Sequence, residues 1–274
     1  QFLASLACYA YPVLGDMSVS TIDTAAVLRV VEPVWLSKTE TANRVRGRIE
    51  SVLDWATVRG HRSGDNPARW KGHLAGVLPA PGAVVQRKHY PALPWAQIAA
   101  FMAELRAREG VAARALEFTI LTAARTGEVV GARWSEIDLE TRTWVIPASR
   151  MKSRREHRVP LSPTAIELLS GLYREDGNSH LFIGERTRAG LGNMAMPDVL
   201  QQMKQSDVTV HGFRSTFRDW AAESTAYPNH VVEQALAHTI SNAVEAAYRR
   251  GDLFEKRRHL MNDWAAFCER PRIA

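Results

Sequence analysis

Four of the chain's thirteen prolines, Pro79, Pro81, Pro91 and Pro94, fall within sixteen residues. Proline has no backbone N–H and a fixed φ, so such a run breaks helices and stiffens a connection. It predicts a linker over 81–94 that divides the 274 residues into one domain at 1–80 and another at 95–274. Each piece has the length of a domain with its own core. Arg87 and Lys88 lie within the linker, where a basic pair could follow a phosphate backbone.

With 46% hydrophobic and 23% charged residues, the composition is that of a globular protein and excludes disordered or collagen-like chains. Cys8 and Cys268 stand at opposite ends with no CxxC pair, which argues against a zinc ribbon or disulfide framework and for a reducing, cytoplasmic setting. The longest uncharged stretches, 1–15 and 72–86, contain proline and fall short of the ~18 apolar residues of a membrane span. No basic segment precedes the first stretch, so it does not read as a signal peptide, and Gln at position 1 suggests a fragment. The net charge of +6 suggests an anionic partner without naming one. Residues 1–88 carry +4 of it, so the first piece is the more basic per residue.

The first piece reads as all-helical. Ser37 and Glu40 form a capping-box pattern, and Val45, Ile49, Val52, Leu53 and Ala56 follow at helical spacing to Gly60. Arg44, Arg46 and Arg48 project from the same helix and could lie along a phosphate backbone, or simply form a solvated face. Beyond the linker the predicted helices are 95–108, 112–124, 163–173, 212–224, 229–237, 242–250 and 253–269. Short strands are predicted at 144–147, 158–161 and 181–183. The fold class is therefore mainly α with a small antiparallel sheet.

Four segments could carry chemistry. Arg125 leaves a strongly apolar helix, and Glu128, three residues on, can hold its guanidinium; a structural ion pair explains the pair equally well. Residues 150–158 place six potentially cationic side chains at a predicted hairpin turn: Arg150, Lys152, Arg154, Arg155, His157 and Arg158. Such a turn could enter a DNA groove, and Lys152 could also donate a proton; a basic surface turn is the plainer alternative. His211 and Arg214 share the first turn of a helix, where backbone N–H groups favour an anion and leave the imidazole able to accept a proton. His238 closes a further helix, and Tyr248 follows ten residues later beside Arg249 and Arg250, which would attract the phosphate that a tyrosine nucleophile attacks. Taken alone, His238 reads as a structural histidine and Tyr248 as a half-buried aromatic.

In this order Arg125, Lys152, His211, Arg214, His238 and Tyr248 resemble the catalytic set of the tyrosine recombinase (phage integrase) family. The segments TAARTGEVVGARWSEID, ASRMKSRREHRVPLS, HGFRSTFRDWAAE, and LAH followed by EAAYRRGDLFEKRRHLMNDWA resemble the integrases of satellite phages and genomic islands. GDMSVSTID, ETANRVRGRIESVLDWA and NPARWKGHL resemble the core-binding domain of that subgroup. Two departures are Ala123 and Ala237, where glycine is common in the wider family. The amino-terminal arm-binding domain usual in these integrases is missing, in keeping with the suspected fragment.

The resemblance implies a helical core-type DNA-binding domain, a recombinase catalytic domain, and strand breakage and rejoining through a 3′-phosphotyrosyl intermediate. It implies Tyr248 as nucleophile, Arg125 and Arg214 on the scissile phosphate, His211 as base, His238 on a phosphate oxygen, Lys152 as general acid, and Glu128 orienting Arg125 or His211. No metal and no ATP are expected. The implied partners are double-stranded attachment-site DNA, a homotetramer on it, a DNA-bending host factor and an excisionase, in a bacterial, nucleoid-associated setting. Two rivals keep part of this chemistry: a type IB topoisomerase and a catalytically silent DNA-binding protein. A nucleotide-binding reading of Gly190-Leu-Gly192-Asn-Met-Ala195 lacks the strand and βαβ unit such a motif needs, and the histidines lack metal-ligand spacing. The apolar stripe Leu260, Met261, Trp264 and Phe267 could pack on its own domain or on a neighbour.

Overall fold

A computed structural model describes residues 2–84, 91–186, 188–238 and 251–270. The chain forms two compact units, 1–89 and 90–274. Among the described residues no helix is long and apolar enough to cross a membrane.

The first unit is built on α1 (Thr24–Trp35) and α2 (Thr39–Val58). Asp23 caps α1 by accepting the Ala26 N–H at 2.8 Å, satisfying one of the orphan donors at the helix start. Ala26, Val27, Val30, Val31 and Trp35 of α1 pack with Ala42, Val45, Ile49 and Leu53 of α2. Trp35 stacks on Trp70 at 5.5 Å and donates its indole N–H to the Pro79 carbonyl at 2.9 Å.

Three expectations change here. Helix α2 starts at Thr39 with Lys38 as its uncapped N-cap residue, so Glu40 is the second helical residue, one position too early to complete a capping box with Ser37. Val52 lies at the edge of the apolar stripe and is exposed. Arg46 does not face solvent: it is buried, donating to Glu50 at 2.6 Å, the Ala68 carbonyl at 2.7 Å and Asn43 at 3.1 Å. It ties α2 to the loop at Ala68, and its guanidinium is not available to a phosphate. Arg48 is bonded to Ser5 and lies over the Phe2 ring, whereas exposed Arg44 pairs one turn away, at 2.5 Å, with exposed Glu40, a surface bridge worth little against solvent.

The second unit surrounds α4 (Val111–Thr122), which follows α3 (Ile98–Arg106). Residues 115–122 of α4 are buried without a break, the signature of a helix covered on every side. Even its Glu117 is buried, satisfied by Arg106 and Arg114 at 2.6 Å each. A short α5 (Thr126–Val130) leads into an antiparallel sheet of order β1-β2-β3: β1 (Ile137–Asp138), β2 (Thr143–Ile146) and β3 (His157–Pro160). Trp144 pairs with Val159 and Ile146 with His157. The two long strands start one residue earlier than predicted; Pro147, with no N–H to pair, opens the connection and leaves a ten-residue basic loop in place of a tight turn. Only isolated bridges form around 181–183, from Arg133 to His180 and from Ile183 to Gly190.

Then come α6 (Pro163–Ser170), α7 (Ala195–Gln202), α8 (Gly212–Ser224), α9 (Asn229–Ala235) and α10 (Phe254–Cys268). The end of the proline-rich stretch docks on the start of α8: Thr209 and Thr216 bond the Pro91 and Leu93 carbonyls. A Cβ at Gly212 would stand 2.2 Å from the Pro91 oxygen, so only glycine fits. Helix α10 packs on its own domain, with Leu260, Met261, Trp264 and Ala265 buried in the core around α4. The helix predicted at 242–250 lies outside the described residues, as do Arg87, Lys88, Tyr248, Arg249 and Arg250.

Candidate active site

Three chain breaks in regularity meet at one place: the turn between α4 and α5, the start of α8 and the turn after α9. Arg125 is the N-cap of α5. Glu128, buried on the same turn, accepts the Arg125 backbone N–H at 2.8 Å through one oxygen and its guanidinium at 2.8 Å through the other. This charge-assisted clamp fixes the side chain where its other nitrogen reaches the Leu236 and Ala237 carbonyls, at 3.4 and 3.3 Å. Arg214, on the first turn of α8, is buried and donates to the Ala123 carbonyl and, at 2.5 Å, to the Leu236 carbonyl. The two guanidinium groups thus converge on one backbone oxygen. Burial, with Arg125 nearby, lowers the Arg214 pKa to about 10, which leaves it a cation at neutral pH.

His238 Nε2 stands 3.3 Å from Arg214 Nη2, and His238 Nδ1 stands 2.7 Å from Glu233 Oε2. His211, the N-cap of α8, has its pKa lowered by desolvation and then by Arg214, Arg125 and His238. It is therefore neutral at pH 7 and able to take up a proton, with desolvation and cations leading the cause where the sequence suggested the helix dipole. Among the described residues, then, Arg125, Glu128, His211, Arg214 and His238 share one site.

Ala123 and Ala237 carry carbonyls of this site, and both have left-handed backbones, at φ 50° and 49°. A Cβ there costs on the order of 1 kcal/mol. The strain accounts for glycine being common at these positions and shows that the two alanines are not neutral replacements.

Lys152, Arg154 and Arg155 are exposed on the loop between β2 and β3. Arg150 and Arg158, expected to reach DNA, are engaged within the protein. Arg150 donates to the Glu136 carboxylate and to the Glu128 carbonyl, so it braces α5 from behind. Arg158 lies 4.0 Å above the Phe254 ring and 3.4 Å from Asp252.

Sequence reasoning missed two residues. Glu233 gave no signal beyond a carboxylate five positions before a histidine. Arg257 stands in a run of charged residues with nothing local to single it out, yet it is buried, donating to the Asp252 carbonyl at 2.7 Å, the Asp252 carboxylate at 3.0 Å and the Arg158 carbonyl at 2.5 Å. It staples residue 252 to β3.

His157 was counted among the basic residues of the hairpin. Burial first, then Arg257, lowers its pKa to about 4, so it is neutral. The unfolded chain, with a histidine pKa of about 6.5, binds the extra proton between pH 6.5 and 4 while the folded protein does not. Stability is expected to fall as pH drops through that window. Urea midpoints measured from pH 7 to 4 should decline less steeply in His157→Gln than in the unaltered chain; parallel declines would remove His157 as the titrating group.

The family model described as Phage integrase central domain matches residues 1–73, and that described as Phage integrase family matches residues 92–253. The integrase of Enterobacteria phage P4 is 31% identical over 290 residues, covering 98% of this chain and 64% of its own length. The chain thus spans under two thirds of that curated relative. Two solved structures share the fold. A lambda integrase dimer bound to a COC′ core site matches with TM-score 0.64 at 16% identity, over 92% of this chain and 87% of that one. A lambda integrase tetramer bound to a Holliday junction matches with TM-score 0.63 at 16% identity, over 88% and 71%.

Proposed function

Because the chain belongs to the phage integrase family, we propose that it serves a site-specific DNA recombinase that integrates or excises a mobile element through a 3′-phosphotyrosyl intermediate. The observation that carries this reading is the convergence of Arg125 and Arg214 on the Leu236 carbonyl, with His238 3.3 Å from Arg214. Two fixed guanidinium groups aimed at one oxygen can exchange that carbonyl for the non-bridging oxygens of a phosphodiester. They would stabilise the charge of the pentacoordinate transition state, a task performed elsewhere by divalent ions.

The phenol of Tyr248 attacks the scissile phosphorus, and the bond to the 5′ oxygen breaks. A phenol of pKa about 10 is a poor nucleophile at neutral pH, so a base is required; neutral His211 takes its proton. Lys152 gives a proton to the departing 5′ oxygen, and His238 bonds a phosphate oxygen. Religation reverses these transfers, and the phosphotyrosyl bond retains the energy to reseal. Exposed Lys152, Arg154, Arg155 and Arg44, with Arg87, Lys88, Arg249 and Arg250, contact the DNA backbone. The lambda tetramer supports assembly of four protomers on attachment-site DNA. A bending host factor and an excisionase complete the assembly on the bacterial chromosome.

A duplex nicked near the cleavage position releases a short fragment and traps the covalent adduct. The unaltered chain should form that adduct and Tyr248→Phe should form none, read on a denaturing gel. An adduct with Tyr248→Phe would assign the nucleophile elsewhere, and none with either would leave a silent DNA-binding protein.

A further inference from the structure

Four side chains close a ring beside the arginine pair. Arg214 and Arg218 stand one turn apart on α8. Arg218 Nε lies 2.8 Å from Glu233 Oε1, a contact that is electrostatic and not aligned as a hydrogen bond. The other oxygen of Glu233 is 2.7 Å from His238 Nδ1, and His238 Nε2 returns to Arg214 at 3.3 Å. The backbone doubles the link, since the His238 N–H donates to the Glu233 carbonyl at 2.9 Å.

The donor and acceptor inventory of this ring has one solution. A carboxylate only accepts, so His238 Nδ1 carries a proton. A guanidinium only donates, so in the resting protein His238 Nε2 presents its lone pair to Arg214. When an anion takes over the Arg214 donors, Nε2 faces that anion and is useful only once protonated; the carboxylate behind Nδ1 then balances the imidazolium charge. A carboxylate that sets the tautomer of an imidazole and supports its cation is a recurrent device.

We propose that Glu233 is a positioning residue for the strand-cleavage reaction: it fixes the ring and tautomer of His238, and Arg218 in turn holds Glu233 against α8. This rests on the reading of His238 as a phosphate contact. Glu233 touches no reacting atom, so its whole effect on cleavage passes through His238.

The test has two arms. In the first, the chain labelled with ¹⁵N-histidine and free of DNA is examined by long-range ¹H–¹⁵N correlation, with His238→Ala assigning the signals. His238 should be the Nδ1–H tautomer in the unaltered chain and lose that preference in Glu233→Ala; an Nε2–H tautomer in the unaltered chain overturns the proposal. In the second, adduct formation on the nicked duplex is timed in single turnover. Glu233→Ala should slow it roughly tenfold to a hundredfold, the scale found for partners that orient a metal-ligating histidine. Glu233→Gln, which keeps the shape and an accepting oxygen, should slow it less, and DNA affinity should stay within about twofold. In a His238→Ala background, Glu233→Ala should cost nothing further, because a residue acting through another has no effect once the other is gone. A full additional loss there would make Glu233 a merely structural residue. Absence of any adduct from the unaltered chain would sink the recombinase reading, and with it the role in cleavage, while the tautomer arm still decides, without DNA, whether Glu233 sets the state of His238.

Discussion

Arg214→Ala is expected to slow covalent-adduct formation by about 10²-fold to 10³-fold or more, the scale of losing one preorganised donor to a developing oxyanion. DNA affinity should fall far less, because affinity is spread over many phosphate contacts and this is one of them. The structural cost is separate. The guanidinium satisfies the Ala123 and Leu236 carbonyls from a buried position; removing it takes the donor from Ala123, at about 1–3 kcal/mol unless water enters, and leaves Leu236 only the longer contact from Arg125 at 3.4 Å. Arg214→Lys separates the two effects. It keeps the charge and fills much of the space, but a point charge cannot reach two carbonyls and a phosphate as a planar fork does, so the rate should remain near that of the alanine variant. Single-turnover trapping and filter binding on the same duplex read both quantities. Cleavage within about threefold of the unaltered rate in Arg214→Lys would show that charge alone suffices and that the fork geometry is irrelevant.

The second large effect concerns stability. Trp264 of α10 is fully buried among Phe217, Trp220 and Phe267, with ring centroids 5.5, 4.9 and 6.2 Å away, and its indole N–H donates to the Ile120 carbonyl at 2.8 Å. Truncation to alanine removes that burial, the ring contacts and a buried donor together, and should destabilise the second unit by about 3–5 kcal/mol. Trp264→Phe keeps most of the packing and loses the hydrogen bond, so it should cost clearly less. Urea midpoints, followed by signals from each unit so that their transitions are not merged, measure both. A loss below about 1 kcal/mol for the alanine variant would mean that α10 is peripheral to the fold. Since Phe217 and Trp220 lie on α8, the helix that presents His211 and Arg214, a destabilised α10 should also loosen the site.

What could be read in the sequence depended on how local its cause was. Helix α8 was predicted with its observed bounds, because its apolar stripe is strong and Gly212 begins it. Helix α7 was missed: Pro197 in its first turn reads as a breaker, although proline is tolerated where helical N–H groups have no partner. The arginines divided by the same rule. Arg125 and Arg214 could be placed from neighbouring residues. The true settings of Arg46, Arg150 and Arg257 depend on Ala68, Glu136 and Arg158, which are brought to them only by the fold. Charge in a sequence shows where a cation is, and only packing shows whether it is already occupied.

The staple at residue 252 has a consequence for the proposed nucleophile. Tyr248 precedes Asp252 by four residues, and four residues span at most about 14 Å. Arg257 and Arg158 hold Asp252 to β3, so the chain is fixed four residues after Tyr248, beside the loop that bears Lys152. Cutting the Asp252 anchor would move the nearest fixed point along the chain to the buried Phe254 at the start of α10, without altering any group that meets the phosphate.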